Sequence, residues 1–234
     1  MVSMSALHSL TAEMHTGFLT LAFACIVIVG LSQVVLHYRH KAPKRFSTWA
    51  QNIRGYAEAA GFVGAVGGFI GLILSGVTGM YAWPSDALFS SPVVMNKILL
   101  TVFGTVMWGV VVFTRAHFGR GLWSSRSLSV FYVSFTFAAF MTVGLAGSLG
   151  AHLTVGESVL DPVWSIAGVD IGTTLALGLV IAIAASLVSL GVVLATVVYA
   201  RYKRLDTYRV GPASCQNFFK CSDNTVVMND FSGK

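Results

Sequence analysis

The sequence predicts an all-α, polytopic membrane helix bundle of about five transmembrane helices, with the N-terminus outside and the C-terminus cytoplasmic. Three observations carry this. The 234 residues are 55% hydrophobic and only 10% charged, where a soluble domain carries about 25% charged residues. Five long apolar runs follow one another, and none is interrupted by proline. The basic residues gather in alternate loops. A formal net charge of +6 would also suit a nucleic-acid partner. Here the basic positions lie in short loops between apolar runs, so membrane lipid is the expected partner and nucleic acid is not.

The apolar runs cover residues 16–36, 57–83, 98–114, 128–153 and 171–200. Each reaches or nears the ~20 residues needed to cross ~30 Å of hydrocarbon at ~1.5 Å per residue. The third is the shortest. Lys97 and Arg115 flank it and are expected to snorkel toward the headgroups, with Trp108 between them. Residues 1–14 hold no lysine or arginine and no small-residue cleavage site follows the first run. The first helix is therefore expected to be retained rather than removed as a signal peptide. Trp49, Tyr81, Trp83, Trp123, Trp164 and Tyr202 fall near run ends and read as headgroup anchors.

Loop charge sets the orientation. Arg39, Lys41, Lys44, Arg45 and Arg54 separate the first two runs, and Arg115, Arg120 and Arg126 separate the third and fourth. Arg201, Lys203, Arg204 and Arg209 follow the fifth, while the opposite side holds Lys97 with Asp86, Glu157 and Asp161. Basic loops stay cytoplasmic, and five crossings satisfy that rule throughout. The chain then divides into a bundle, 1–205, and a cytoplasmic tail, 206–234. The tail is mostly polar without helical period, and docking on a neighbouring subunit is what would order it. The 3 cysteines, Cys25, Cys215 and Cys221, have no framework spacing and read as free thiols.

The chemistry is first bounded by absences. There is no P-loop, no GxGxxG, no HExxH and no GxSxG. No ionisable residue falls at mid-membrane depth, and Glu58 and Asp170 sit only at run ends. Ion-coupled transporters place such a group near the midplane, so a small permease ranks third among the readings.

Two features remain. Gly64, Gly68, Gly71, Ser75 and Gly79 form one stripe of the second helix, at helical steps of four and three. Such a stripe admits either a neighbouring backbone or a flat cofactor. His15 opens the first helix and His152 closes the fourth, with Gly144 and Ser148 preceding it at steps of four. The expected topology brings both histidines to the outer boundary. Imidazole is a common axial ligand of haem iron. His15 and His152 could thus hold one haem b, with Gly68, Gly71, Gly144 and Ser148 forming smooth walls. Solvated interfacial histidines are the competing reading. A metal site is another, because His8, Glu13, His15, Asp86, His152, Glu157 and Asp161 share that side, and His with carboxylate suits Zn or Cu(II). No pair among them has a tight ligand spacing.

Three segments carry a resemblance: Met14-His15-Thr16-Gly17; Gly61 to Pro84, containing Ser75-Gly76-Val77-Thr78-Gly79; and Gly147 to Glu157. Together they resemble an uncharacterised family of small prokaryotic membrane proteins, a domain of unknown function suspected of binding haem. The likeness spans about residues 7–157. Thr16 stands where that family has proline, and Asn96-Lys97 stand where it has a histidine. The resemblance implies a haem-binding four-helix core. The expected function is an integral membrane subunit of an electron-transfer or oxidase-type complex in a prokaryotic cell membrane. The alternative is a cofactor-free accessory subunit that scaffolds a respiratory or monooxygenase complex.

The charge asymmetry generates a topology test. A thiol introduced by Ser91→Cys should react with an impermeant reagent in intact cells. Labelling only after permeabilisation would reverse the orientation.

Overall fold

A computed structural model describes residues 3–38, 43–84, 86, 91–168 and the single positions 191, 195, 198, 199 and 202. The elements in order are α1 (Met4–His37), α2 (Lys44–Ala82), α3 (Pro92–Phe118), a 3-10 turn (Gly119–Trp123), α4 (Arg126–Thr154) and the short α5 (Asp161–Ile166). No strand occurs among the described residues. Four helices, α1 to α4, are long and apolar enough to cross a membrane. The described residues are thus all-α and of membrane-spanning character. The expected fifth span is described only at 191, 195, 198 and 199, and the tail 206–234 lies outside the described residues.

The helices begin before the apolar runs do, because capping chemistry sets their starts and hydropathy marks only the lipid-length window. The Ser3 hydroxyl accepts from the Ala6 N–H at 3.1 Å. Ser91 caps α3 ahead of Pro92, and Ser125 caps α4. A serine at the N-cap satisfies an otherwise orphaned donor, and proline in the first turn has no N–H to lose. At the other ends, Gly119 (φ 54°) stops α3 and Gly156 (φ 84°) follows α4. Both occupy the left-handed region that a side chain disfavours.

Lipid gives no hydrophobic drive for one helix to leave it for another, so close packing has to hold the bundle. The antiparallel pair α1–α2 supplies it. A Cβ on Gly64 would lie 3.0 Å from the Phe18 carbonyl oxygen, and one on Gly71 would lie 2.7 Å from the His15 Cβ. A Cβ on Gly68 would enter the Leu19 side chain, and Gly61 faces Cys25. The stripe is the surface on which α1 lies. Around it, Leu19, Ala22, Trp108, Val111, Leu122 and Ala139 are sealed in the core. Leu21, Val63, Ile70, Phe113 and Phe137 stay exposed, as befits a surface that meets acyl chains.

Several aromatic and charged side chains differ from the anchor pattern. Trp108, Trp123 and Trp164 are buried, whereas Trp49, Tyr81 and Tyr202 are exposed. Arg115 does not snorkel outward. It pairs with Glu58 of α2 at 2.5 Å, both side chains largely buried. Position near a run end does not separate a ring that turns into the bundle from one that faces the headgroups.

The α1–α2 contact predicts that Gly68→Leu forces the helices apart, at a cost of about 1–3 kcal/mol by analogy with overpacked cores. Thermal unfolding in detergent should show a lowered midpoint. Gly55→Leu is the control, since nothing lies within 4 Å of the Cβ position at Gly55. Equal behaviour of the two variants would show the contact to be dispensable.

Candidate functional site

One polar strip of α1 shapes the end of the bundle where that helix begins. His8, Thr11 and His15 recur at helical steps and face α2. The His15 Nδ1 lies 2.9 Å from the Thr11 carbonyl oxygen. His8 Nδ1 lies 3.1 Å from the Ser75 carbonyl oxygen, and the Thr11 and Thr78 hydroxyls meet at 3.1 Å. A carbonyl only accepts, so each Nδ1 must donate. In a neutral imidazole this leaves Nε2 with its lone pair uncommitted by those bonds. Both rings are thereby fixed in orientation and in tautomer.

These histidines line a cavity of about 1470 Å³ that reaches all four long helices. Leu19, Leu72, Ile98, Val102, Phe140 and Met141 contribute to its mostly apolar walls. Lys97 also lines it, with Nζ 5.8 Å from the centre of the Trp83 ring.

The proposed site residues separate into groups. His15, Gly144 and Ser148 line the cavity. Gly68 and Gly71 are covered by Leu19 and His15 of α1. They serve helix contact, leaving no smooth face there for a cofactor. His152 is absent from the lining, and its Nε2 lies 2.9 Å from Asp161 Oδ1. Gly144 is roofed by Leu160 and Trp164, whose atoms come within 3.6 and 3.8 Å of its Cβ position. Ser148 Oγ accepts from Trp164 Nε1 at 2.8 Å and from the Ser158 hydroxyl at 3.0 Å. The Gly144–Ser148 groove therefore receives the protein's own loop. That loop turns at Gly156 and ends at Gly168, both with positive φ. Its Ser158, Leu160, Val163 and Trp164 form part of the cavity wall.

No three His, Cys, Asp or Glu side chains converge into a metal-holding group among the described residues. The Glu58–Arg115 pair was hidden from sequence reasoning by its separation of 57 positions. Lys97 was not expected to belong to a site, whereas His8 was named only among the candidate metal ligands. The usable signal for Lys97 was its isolation, as the lone basic residue of the acidic side. Compared with protein-family models, curated proteins and solved structures, the chain matches none. The likeness drawn from the His15, Ser75–Gly79 and Gly147–Glu157 segments rests on those residues alone.

The loop carries its own electrostatics. The bond from His152, then the Ser158 N–H at 2.9 Å, hold the Asp161 carboxyl below the ordinary carboxylate range. A carboxyl depressed in the folded state stabilises that state above its ordinary value. The contribution is lost as pH falls through the depressed value. His152→Ala should raise the Asp161 pKa toward the ordinary carboxylate range, read by carbon-13 NMR of the labelled carboxyl. An unmoved titration would remove His152 as the cause.

Proposed function

We propose that this chain is an integral membrane subunit of an electron-transfer or oxidase-type assembly in a prokaryotic-type cell membrane. It holds one haem b in the four-helix cavity, with His15 as an axial ligand. The N-terminus is outside, so the His15 end of the bundle faces outward.

The observation that carries this reading is the His15–Thr11 hydrogen bond on a side chain that lines the cavity. A metal-bound imidazole almost always donates its other ring N–H to a carbonyl or carboxylate, which fixes the ring and raises its basicity. Thr11 supplies that carbonyl, and Nε2 remains for iron. The cavity suits a large ring, since about 1470 Å³ exceeds the ~300–1,000 Å³ of ordinary small-molecule pockets. Its apolar walls would exclude water from a macrocycle. When bound, haem b would supply reversible one-electron transfer. The protein's part is to orient the ligand nitrogen, keep it neutral and exclude solvent. His152 is withdrawn from the pairing, because its Nε2 is engaged by Asp161 and its side chain lies outside the lining.

A second reading has its own observation. The glycine stripe is closed by α1, and the Gly144 groove is closed by Leu160 and Trp164. Surfaces filled by the chain itself suit a cofactor-free accessory subunit of a respiratory or monooxygenase complex.

A reduced-minus-oxidised spectrum separates the two. The haem reading expects a b-type band in the purified protein that His15→Ala abolishes and His152→Ala preserves. Alanine at position 15 retains the Cβ that packs on Gly71. A protein without a band, or a band indifferent to His15→Ala, would leave the accessory reading in place.

A further inference from the structure

Lys97 presents an electrostatic problem that the haem ligand alone does not solve. It lies six residues into α3, beneath the loop, and its side chain reaches into an apolar cavity. Gly150 makes the space for it. A Cβ there would come within 2.8 Å of Lys97 Nζ and 3.0 Å of its Cε. The ammonium forms no ion pair with any described Asp or Glu. Glu58 is taken by Arg115, and Asp161 lies against His152. The one carboxylate in the lining, Glu13, is exposed and hydrogen-bonds the Ser9 hydroxyl at 3.5 Å. The Trp83 ring face lies 5.8 Å from the ammonium, a weak cation–π contact. Lys97 is partly buried, and drawing an ammonium part-way out of water into such surroundings carries a cost that an anion would offset.

We infer that Lys97 receives the anionic group of the molecule that fills this cavity, an amphiphile with a carboxylate or phosphate on a large apolar body. The inference rests on the proposed occupancy of the cavity but not on the iron. Two sources share this chemistry: a tetrapyrrole bearing propionates and an anionic lipid. In both, the apolar body lies along Val102, Phe140 and Met141, while the head meets Lys97. An uncharged amphiphile would leave the ammonium unmatched.

The test uses two pairs of probes on the whole protein in zwitterionic nanodiscs, at a pH where the acids are ionised. One pair is haemin and haemin dimethyl ester. The other is spin-labelled stearate and its methyl ester. The acid should bind at least about tenfold more tightly than its ester in one pair or both, the scale of a charge-assisted hydrogen bond. Lys97→Met should erase that preference, and Lys97→Arg should retain it. A preference in the haemin pair identifies a propionate as the anion. A preference in the stearate pair alone supports the Lys97 site but removes the haem reading. Wild-type protein with no acid preference in either pair overturns the inference whatever the variants do. So does a preference that survives Lys97→Met.

Discussion

The near contact of the α1 and α2 backbones is the constraint on which the rest of this structure depends. In a bilayer, leucine gains little by leaving lipid for another helix, and attraction has to come from close approach. Gly61, Gly64, Gly68 and Gly71 permit that approach at successive turns, bringing Phe18 and Ala22 backbone atoms against α2. The same register puts His8 beside Ser75 and Thr11 beside Thr78. Without the glycines, neither histidine would be held as it is. The stripe thus acts on the site indirectly. It positions the face of α1 that carries His8, Thr11 and His15.

Much of the fold could be read from the sequence because its signals are one-dimensional. A run of apolar residues, a serine before a helix and a glycine after one each act locally. The start of α3 at Pro92 follows from Ser91, and its end at Phe118 follows from Gly119. The site was legible only where it is local. His15 could be singled out as the histidine that opens the first apolar run, whereas its bond to the Thr11 carbonyl one turn back could not. The partners of His152 were not legible in the same way. Asp161 lies nine positions on, and it returns only because the chain reverses at Gly156. Glu58 and Arg115 meet across two helices, and nothing near either residue announces the other.

The sites of charge reflect depth. The bundle holds a polar pair at each end, Glu58–Arg115 at one and His152–Asp161 at the other. They differ in setting. The first is largely enclosed, and the Arg115 guanidinium also lies over the Phe62 ring at 5.9 Å. Removing one partner there would strand a charge in low dielectric, the costly case. The second is more exposed, and water screens it. Its value is geometric. Through Ser158 and Ser148 it carries Trp164 onto α4 and completes the cavity wall.

Three of the cavity's polar side chains, His8, His15 and Lys97, can be taken together. His8 and His15 each spend their N–H on a carbonyl and offer a lone pair, which a hydrogen-bond donor or a metal ion could fill. Lys97 offers protons and positive charge and accepts nothing. A fatty acid could satisfy Lys97, but in ionised form it has no donor for either imidazole. A neutral quinol could donate to an imidazole, but it brings no anion to Lys97. A metalloporphyrin with propionates brings a Lewis acid for one imidazole and an anion for the ammonium on a single apolar frame. Donor and acceptor count therefore distinguishes among these three, where cavity size, which admits them all, does not.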